Sequence, residues 1–315
     1  MIKIQQINSI TLTVSDITQA QNFYTQALGF KLIGETTFTD SSYTQLTSTS
    51  PSSVKLVTLQ LGDEMIELIQ YLDLKAKPIP KDSQSNDLWF QHFAIVVSDM
   101  DLAYEHLKSF NIEYISNEPQ TIPEDNQMAP GVRAFKFRDP IDRHSLELIW
   151  FPEGIGKEKW QQKTDEIFLG IDHSAISVAD TEESLTFYRD LLGMTVEISN
   201  RNSGDVQARL DGLPVAEVQV TPLQPVKTSV GIELLDYIKP GTGRPVQPDW
   251  QANDLAHLHV ILEVDNLEQC VKQLQQQNIT ILSPSIVKLP SSYRYTQGCL
   301  IQDPNGHVLL LVSQR

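Results

Sequence analysis

The chain has 315 residues, about twice an ordinary domain, so one large domain or two medium ones are the natural readings, and either buries a substantial core. Its formal net charge of -16 opposes phosphate backbones and anionic membrane surfaces, which are held mainly through Lys and Arg, so neither nucleic acid nor membrane is an expected partner. No apolar run reaches the roughly 18 residues of a membrane span, the N-terminal MIKIQQINSITLTV alternates polar with apolar, and the cysteines Cys270 and Cys299 stand far apart, which together favour a soluble, cytoplasmic protein without secretion signal or disulfide framework.

In chain order, the alternating run SITLTV (9–14) leads through an acidic turn into a helix whose Ile17, Ala20, Tyr24 and Ala27 share one face, with Asp16 and Gln19 placed as an N-terminal cap. The runs SVKLVTLQL and EMIELIQYL read as the strands that follow. The same order returns at His92: HFAIVV, a helix on Ala103, Leu107 and Phe110, then VRAFKFRD and HSLELIWF. The polar, glycine-bearing FPEGIGKEKWQQKTDEIF reads as a connector. A third passage begins with HSAISVA, continues with a helix on Leu185, Tyr188 and Leu192, and then gives DVQARL and GIELLDYI, both read as strands. The fourth has HVILEV, a helix on Leu267, Val271 and Leu274 with its cap read at Asp265 and Glu268, then CLIQD, the turn DPNG, and HVLLLV. Each passage is one strand, one helix and about three strands, a βαβββ module.

The modules are copies. ITLTVSDITQAQNFYTQALGF (10–30) matches SAISVADTEESLTFYRDLLGM (174–194) at an offset of 164, and NDLWFQHFAIVV (86–97) matches NDLAHLHVILEV (253–264) at an offset of 167. Residues 1–152 and 169–315 therefore read as two homologous domains, joined by 153–168. Strand alternation places His173, Ala175 and Ser177 on the face opposite Ile176 and Val178, His92 and Ala94 opposite Phe93 and Ile95, and His259 opposite Val260 and Leu262. Small neighbours around a histidine leave room for a ligand. Ser9 holds the matching place in the first module, and the late strands carry Glu67, Glu147, Glu233 and Leu310. Read half by half, one set is Ser9, Glu67, His92 and Glu147, and the other is His173, Glu233, His259 and Leu310.

The modules, with NFYTQALGF, TFYRDLLGM, RDPIDRHSLEL and QDPNGHVLLL, resemble the vicinal oxygen chelate superfamily of glyoxalases, bleomycin-resistance proteins and extradiol dioxygenases. The resemblance implies an α+β fold in which four βαβββ modules form two glyoxalase-like, cupped, partly open barrels, with a divalent metal held in a cup by first and last strands. Carried over residue by residue, it implies metal ligands His173, Glu233 and His259 in the C-terminal half, and a weaker set, Glu67, His92 and Glu147, in the N-terminal half. Two imidazoles and a carboxylate suit Fe, Zn, Ni, Mn or Co and leave positions for substrate oxygens.

The expected activity is proton transfer of the lyase or isomerase type on a small oxygen-bearing metabolite in the C-terminal cup, with Glu233 and Tyr293 as catalytic groups. Ring-cleaving iron dioxygenase chemistry is an alternative, although Tyr293, Leu300 and Leu310 stand where the dioxygenase signature has histidine, tyrosine and glutamate. A metal-free binding protein is another, with Tyr71, Trp89, Tyr237 and Trp250 available to a pocket. His257 shares a face with His259 as rival ligand or supporting donor, His144 and His307 read as turn residues, Cys270 as core, and Arg133, Lys136, Arg138 and Arg294 as surface cations. A monomer or a homodimer is compatible with four modules.

Overall fold

The computed structural model describes residues 2–313. Its strands form two large sheets, and each draws on both halves of the sequence. The first is eight-stranded and joins modules 1 and 4: Val287–Lys288, Gln297–Gln302, Val308–Ser313 and Leu258–Val264 lie beside Ile4–Thr13, Glu64–Tyr71, Val54–Leu61 and Lys31–Phe38, in that spatial order. The second is ten-stranded and joins modules 3 and 2. Its central strands are Gly231–Lys239, Phe168–Val178, Gln91–Val97 and Ser145–Trp150, flanked by Glu217–Gln224 on one side and Arg133–Arg138 on the other. Each sheet is closed at its centre by two first strands running antiparallel, Ile4–Thr13 with Leu258–Val264 and Phe168–Val178 with Gln91–Val97.

This pairing corrects the half-by-half assignment of cups. Residues 1–152 and 169–315 remain the units of sequence repetition, but neither forms a sheet by itself. The modules of one half are joined instead through their Asp-Pro turns. Asp142 of module 2 accepts from the Ser15 amide of module 1, and Asn305 of module 4 accepts from the Ala179 amide of module 3, at 2.9 Å in both cases. Of the turn histidines, His307 reinforces this by reaching the Ser177 carbonyl at 2.7 Å, whereas His144 crosses between the halves to the Leu255 carbonyl at 3.0 Å.

The aliphatic faces predicted from alternation meet the helices in one shared core. Ile10 and Leu12, Phe93 and Ile95, Ile176 and Val178, and Val260 and Leu262 pack there with Tyr24, Leu107, Tyr188 and Leu274 from the helices. Burying a side chain of this size stabilises the fold by about 1.5–3 kcal/mol. Cys270 belongs to the same core. The opposite faces, which carry the histidines, form the concave sides of the sheets.

Three local expectations change. DVQARL is not a strand: Gly204–Asp211 is a helix, because Gln207, Leu210 and Asp211 recur at helical spacing and turn inward. The cap of the last helix, Leu267–Gln276, is Asn266, whose side chain accepts from the Gln269 amide, rather than Asp265. The connector is docked on the fold, which its polar composition did not indicate. Residues Glu158–Gln161 form a 3₁₀ turn that buries Trp160, whose indole donates to Asp172 at 2.7 Å.

Candidate active site in the cup of modules 2 and 3

The four groups that sequence alternation distributed over two cups lie together in one. In the ten-stranded sheet Ala175 pairs with Glu233 on one side and His92 on the other, while His173 pairs with Gly231 and with Ala94, whose other neighbour is Glu147. Two adjacent rows of the pleat thus present Glu233, His92, His173 and Glu147 to one space, separated by glycine and alanine. His92 Nε2 is 3.2 Å and His173 Nε2 3.6 Å from Glu147 Oε2, and His173 Nε2 is 3.4 Å from Glu233 Oε2. His92, Glu147 and His173 are buried and offer ligand atoms all within 4.8 Å of one another, which makes them a candidate metal centre.

The donor set fits a divalent cation. His173 Nε2 is buried without a hydrogen-bond partner among the described residues. Its other ring nitrogen, Nδ1, lies 3.2 Å from Asp172. That contact between sequence neighbours is made possible by a bulge between Ile171 and His173, which turns Asp172 to the same side of the strand as the histidine. Asp172 is in turn fixed by Trp160 and Lys157. A carboxylate on Nδ1 holds the ring with its Nε2 lone pair toward the cup, the orientation metal-binding histidines usually have.

The charges agree. Burial disfavours a charged His173 ring, but Glu233, Asp172 and Glu147 outweigh it and push its pKa up to about 10. The carboxylates thus demand a positive charge, which a metal ion supplies with both imidazoles neutral. Burial lowers His92 to about 4. For Glu147 burial acts upward, yet His92, His173 and Lys136 together hold it well below the usual carboxylate range. Glu233 is raised, chiefly by burial. It touches only one of the imidazoles and is the more loosely held of the two carboxylates.

Around this centre is a cavity of about 390 Å³. One wall is apolar, with Ile122, Val132, Ala134 and Ile149; the other carries Asn200, Asn202, Gln207 and Gln224. Lys136 corrects the surface placement expected of it: it is 4 % exposed and its ammonium lies 2.6 Å from the buried Asp211. Its place opposite Glu147 in the Arg133–Arg138 strand aims it into the cup. Alternation within VRAFKFRD, with Phe135 and Phe137 facing the core, was the available signal. Gln207 and Asp211 were missed with the helix that carries them, and Lys157 with the connector. Arg138 is buried as well, against its expected surface placement, and pairs with Glu113, whereas Arg133 pairs with Asp101 and Arg294 is exposed.

The other cup is filled. Equivalent pleat positions hold Glu67, Thr11 and His259 in one row and Ser9, Ile261 and Leu310 in the next, so His259 matches His92, Glu67 matches Glu233, Ser9 matches His173 and Leu310 matches Glu147. His259 therefore does not join His173 and Glu233, nor does Glu67 join His92 and Glu147. Phe38, Tyr43, Tyr293 and Tyr295 pack edge-on or stacked in the space where a ligand would sit. Tyr293 donates to Glu67 at 2.7 Å in this cup, whereas Glu233 lies in the other sheet, so the two do not form the expected catalytic couple. His257 stands behind His259, with ring nitrogens 3.2 Å apart. Tyr71 belongs to the same filling, Trp89 and Trp250 pack on each other outside it, and Tyr237 is buried beside Ala175 and Leu235 in the other sheet.

Paired βαβββ modules, a cup and inward histidines and glutamates define a class of metal-dependent and ligand-binding proteins. The chain belongs to the Glyoxalase/Bleomycin resistance protein/Dioxygenase superfamily, whose family model matches residues 6–148 and again 170–311. A 2-epi-5-epi-valiolone epimerase from Actinomyces sp is 29% identical over 158 residues, which span 49% of this chain and 83% of that protein. In fold the chain resembles glyoxalase I from Zea mays, with a TM-score of 0.64, 18% identity and coverage of 98% of this chain and 92% of that one. It also resembles a candidate dioxygenase from Bacillus subtilis subsp. subtilis str. 168, with a TM-score of 0.61, 12% identity and coverage of 100% and 86%. Among the described residues no helix is long and apolar enough to cross a membrane.

Proposed function

We propose that the protein is a divalent-metal-dependent enzyme that moves a proton on carbon next to a carbonyl, an isomerase or lyase acting in the cup of modules 2 and 3. The observation that carries this reading is the convergence of His92, Glu147, His173 and Glu233 around one buried imidazole nitrogen that has no hydrogen-bond partner among the described residues. His92, His173 and Glu147 would hold the metal, with Glu233 at its edge. When bound, the metal acts as a Lewis acid that polarises the substrate carbonyl and stabilises the negative charge that develops on its oxygen.

The remaining work falls to the chain. Asp172 holds His173 in its ligating tautomer. Glu233, the loosest carboxylate and one whose pKa burial raises, accepts the proton from carbon and returns it on the same face to the neighbouring carbon. The apolar wall of Ile122, Val132 and Ala134 excludes water from the carbanionic centre. The family membership and the epimerase relative support this reading.

Incubating the metal-loaded protein with α-hydroxy ketones in deuterium oxide tests it by proton NMR. Deuterium should enter the carbon beside the carbonyl, and Glu233→Gln should slow that exchange by about two to four orders of magnitude while metal is retained. Equal exchange in both proteins would remove Glu233 from this role. Dioxygen consumption with catechols by the iron-loaded protein, in place of exchange, would favour the dioxygenase reading.

A further inference from the structure

The cup is short of free positive charge. Of the described residues lining it, the lysines are Lys136 and Lys157, and no arginine is among them. The ammonium of Lys136 lies against Asp211 at 2.6 Å. That of Lys157 is 3.1 Å from the Asp172 carboxylate and donates to the carbonyls of Asp172 and Ser229 at 3.0 and 3.2 Å, which uses its three protons. Meanwhile Glu147, Asp172, Glu197 and Glu233 also line the space. An anionic substrate would enter a site whose cations are already committed, and a divalent metal would leave little positive charge for a second anion.

Two residues that line the cup, Gln207 and Gln224, carry unpaired acceptors. The amide of Gln207, 4 % exposed, donates through Nε2 to Asp211 at 2.7 Å. A carboxylate accepts only, so this contact fixes which way round the amide sits and turns Oε1 away as an acceptor. That oxygen is buried with no partner among the described residues, and so is Oε1 of Gln224. Gly231, the pleat neighbour of His173, makes the second placement possible: a Cβ there would lie 2.7 Å from the Gln224 amide nitrogen. A buried acceptor without a donor is costly, and a ligand donor would recover that cost. A hydroxyl group can donate to these oxygens and stay uncharged beside Lys136 and a metal dication.

Resting on the reading that this cup is the reaction site, we propose that its substrate is an uncharged, polyhydroxylated carbonyl compound of monosaccharide size, whose hydroxyl groups are read by Gln207 and Gln224. Thiol conjugates bearing carboxylates and phosphate esters are disfavoured, because the charge of Lys136 is compensated by Asp211 and that of Lys157 by Asp172. The cavity volume lies at the lower end of the range for small-molecule sites, in keeping with a compact ligand.

Calorimetric titration of the full-length, metal-loaded protein with 2-keto-myo-inositol and, separately, with S-hexylglutathione tests this. The polyhydroxylated ketone should bind at least tenfold more tightly. Gln224→Leu should weaken it by about tenfold, the measure of one lost hydrogen bond from a buried acceptor, and Gln207→Met similarly. Gln224 is only half-buried, so its variant reports even if Gln207→Met fails to fold. A preference for the glutathione conjugate, no binding of either ligand, or a Gln224→Leu variant within twofold of the parent would overturn the proposal. Metal content measured on the same samples separates the two readings. Metal-free protein that still binds the ketone through Gln224 would sink the enzymatic reading alone, whereas metal-bearing protein that prefers the conjugate would sink only the substrate class.

Discussion

Glu67 and Glu233 hold equivalent places in the two cups, yet their surroundings differ. Glu233 borders the cavity beside an imidazole, whereas Glu67 is sealed under tyrosines and is fully buried. Burial pushes the Glu67 pKa up to about 7, against the hydrogen bond from Tyr293, the Arg294 charge and Thr11. A raised carboxyl favours folding most below its unfolded pKa of 4.5, and the contribution is lost as pH rises through about 7. Glu67→Gln removes this dependence and keeps an acceptor for Tyr293. Thermal denaturation should therefore show the variant gaining on the parent between pH 5 and 8, by on the order of 3 kcal/mol. A constant difference across that range would show that Glu67 does not titrate there. The histidines and glutamates of both cups were legible as inward-facing from strand alternation, while the charge states were not, because they depend on neighbours brought from other modules.

At the scale of elements, the clearest local signals were caps and stripes. Asp16 accepts from the amides of Thr18 and Gln19 and also from the Gln19 side-chain amide at 2.8 Å, so the cap read from DITQ is formed, as a side-chain cap rather than a reciprocal box. Asp16→Ala should destabilise the protein by about 1 kcal/mol and lower its Tm by a few degrees, with no change in metal content. An unchanged Tm would mean that the helix is held by the packing of Tyr24 and Leu28 alone. The helix Gly204–Asp211 escaped notice because DVQARL is short and its spacing satisfies either period, and tertiary packing decides such cases. The consequence was functional, since that helix brings Gln207 and Asp211 to the cup. The bulge that turns Asp172 toward His173 likewise leaves no mark in local composition.

For the whole molecule, repetition announced four modules but not their partners. All four first strands carry the same alternation, so pairing module 1 with 2 or with 4 satisfies the same local pattern. Only long-range contacts decide, such as Ala175 against His92 and Thr11 against His259. Once the pairing is known, the asymmetry follows: one cup holds two histidines and two glutamates, and the other has Ser9 and Leu310 at two of the four places and a tyrosine filling. Because each cup spans both halves, chains of residues 1–163 and 164–315, cut in the exposed end of the connector, should bind metal when co-expressed and copurify at equal stoichiometry. Fragment 164–315 expressed alone lacks His92 and Glu147 and should hold no tightly bound metal. Metal bound to it at full stoichiometry would mean that His173, Glu233 and His259 suffice.

The most direct test is elemental analysis of the purified protein beside His92→Ala, His173→Ala and His259→Ala, with folding followed by circular dichroism. The parent should carry about one divalent metal per chain, a single cup's worth of the His92, Glu147 and His173 donor set. His92→Ala and His173→Ala should lose it, and His259→Ala, altered only in the filled cup, should keep it. Loss of metal from His259→Ala with retention in His92→Ala would contradict the assignment of the centre to modules 2 and 3.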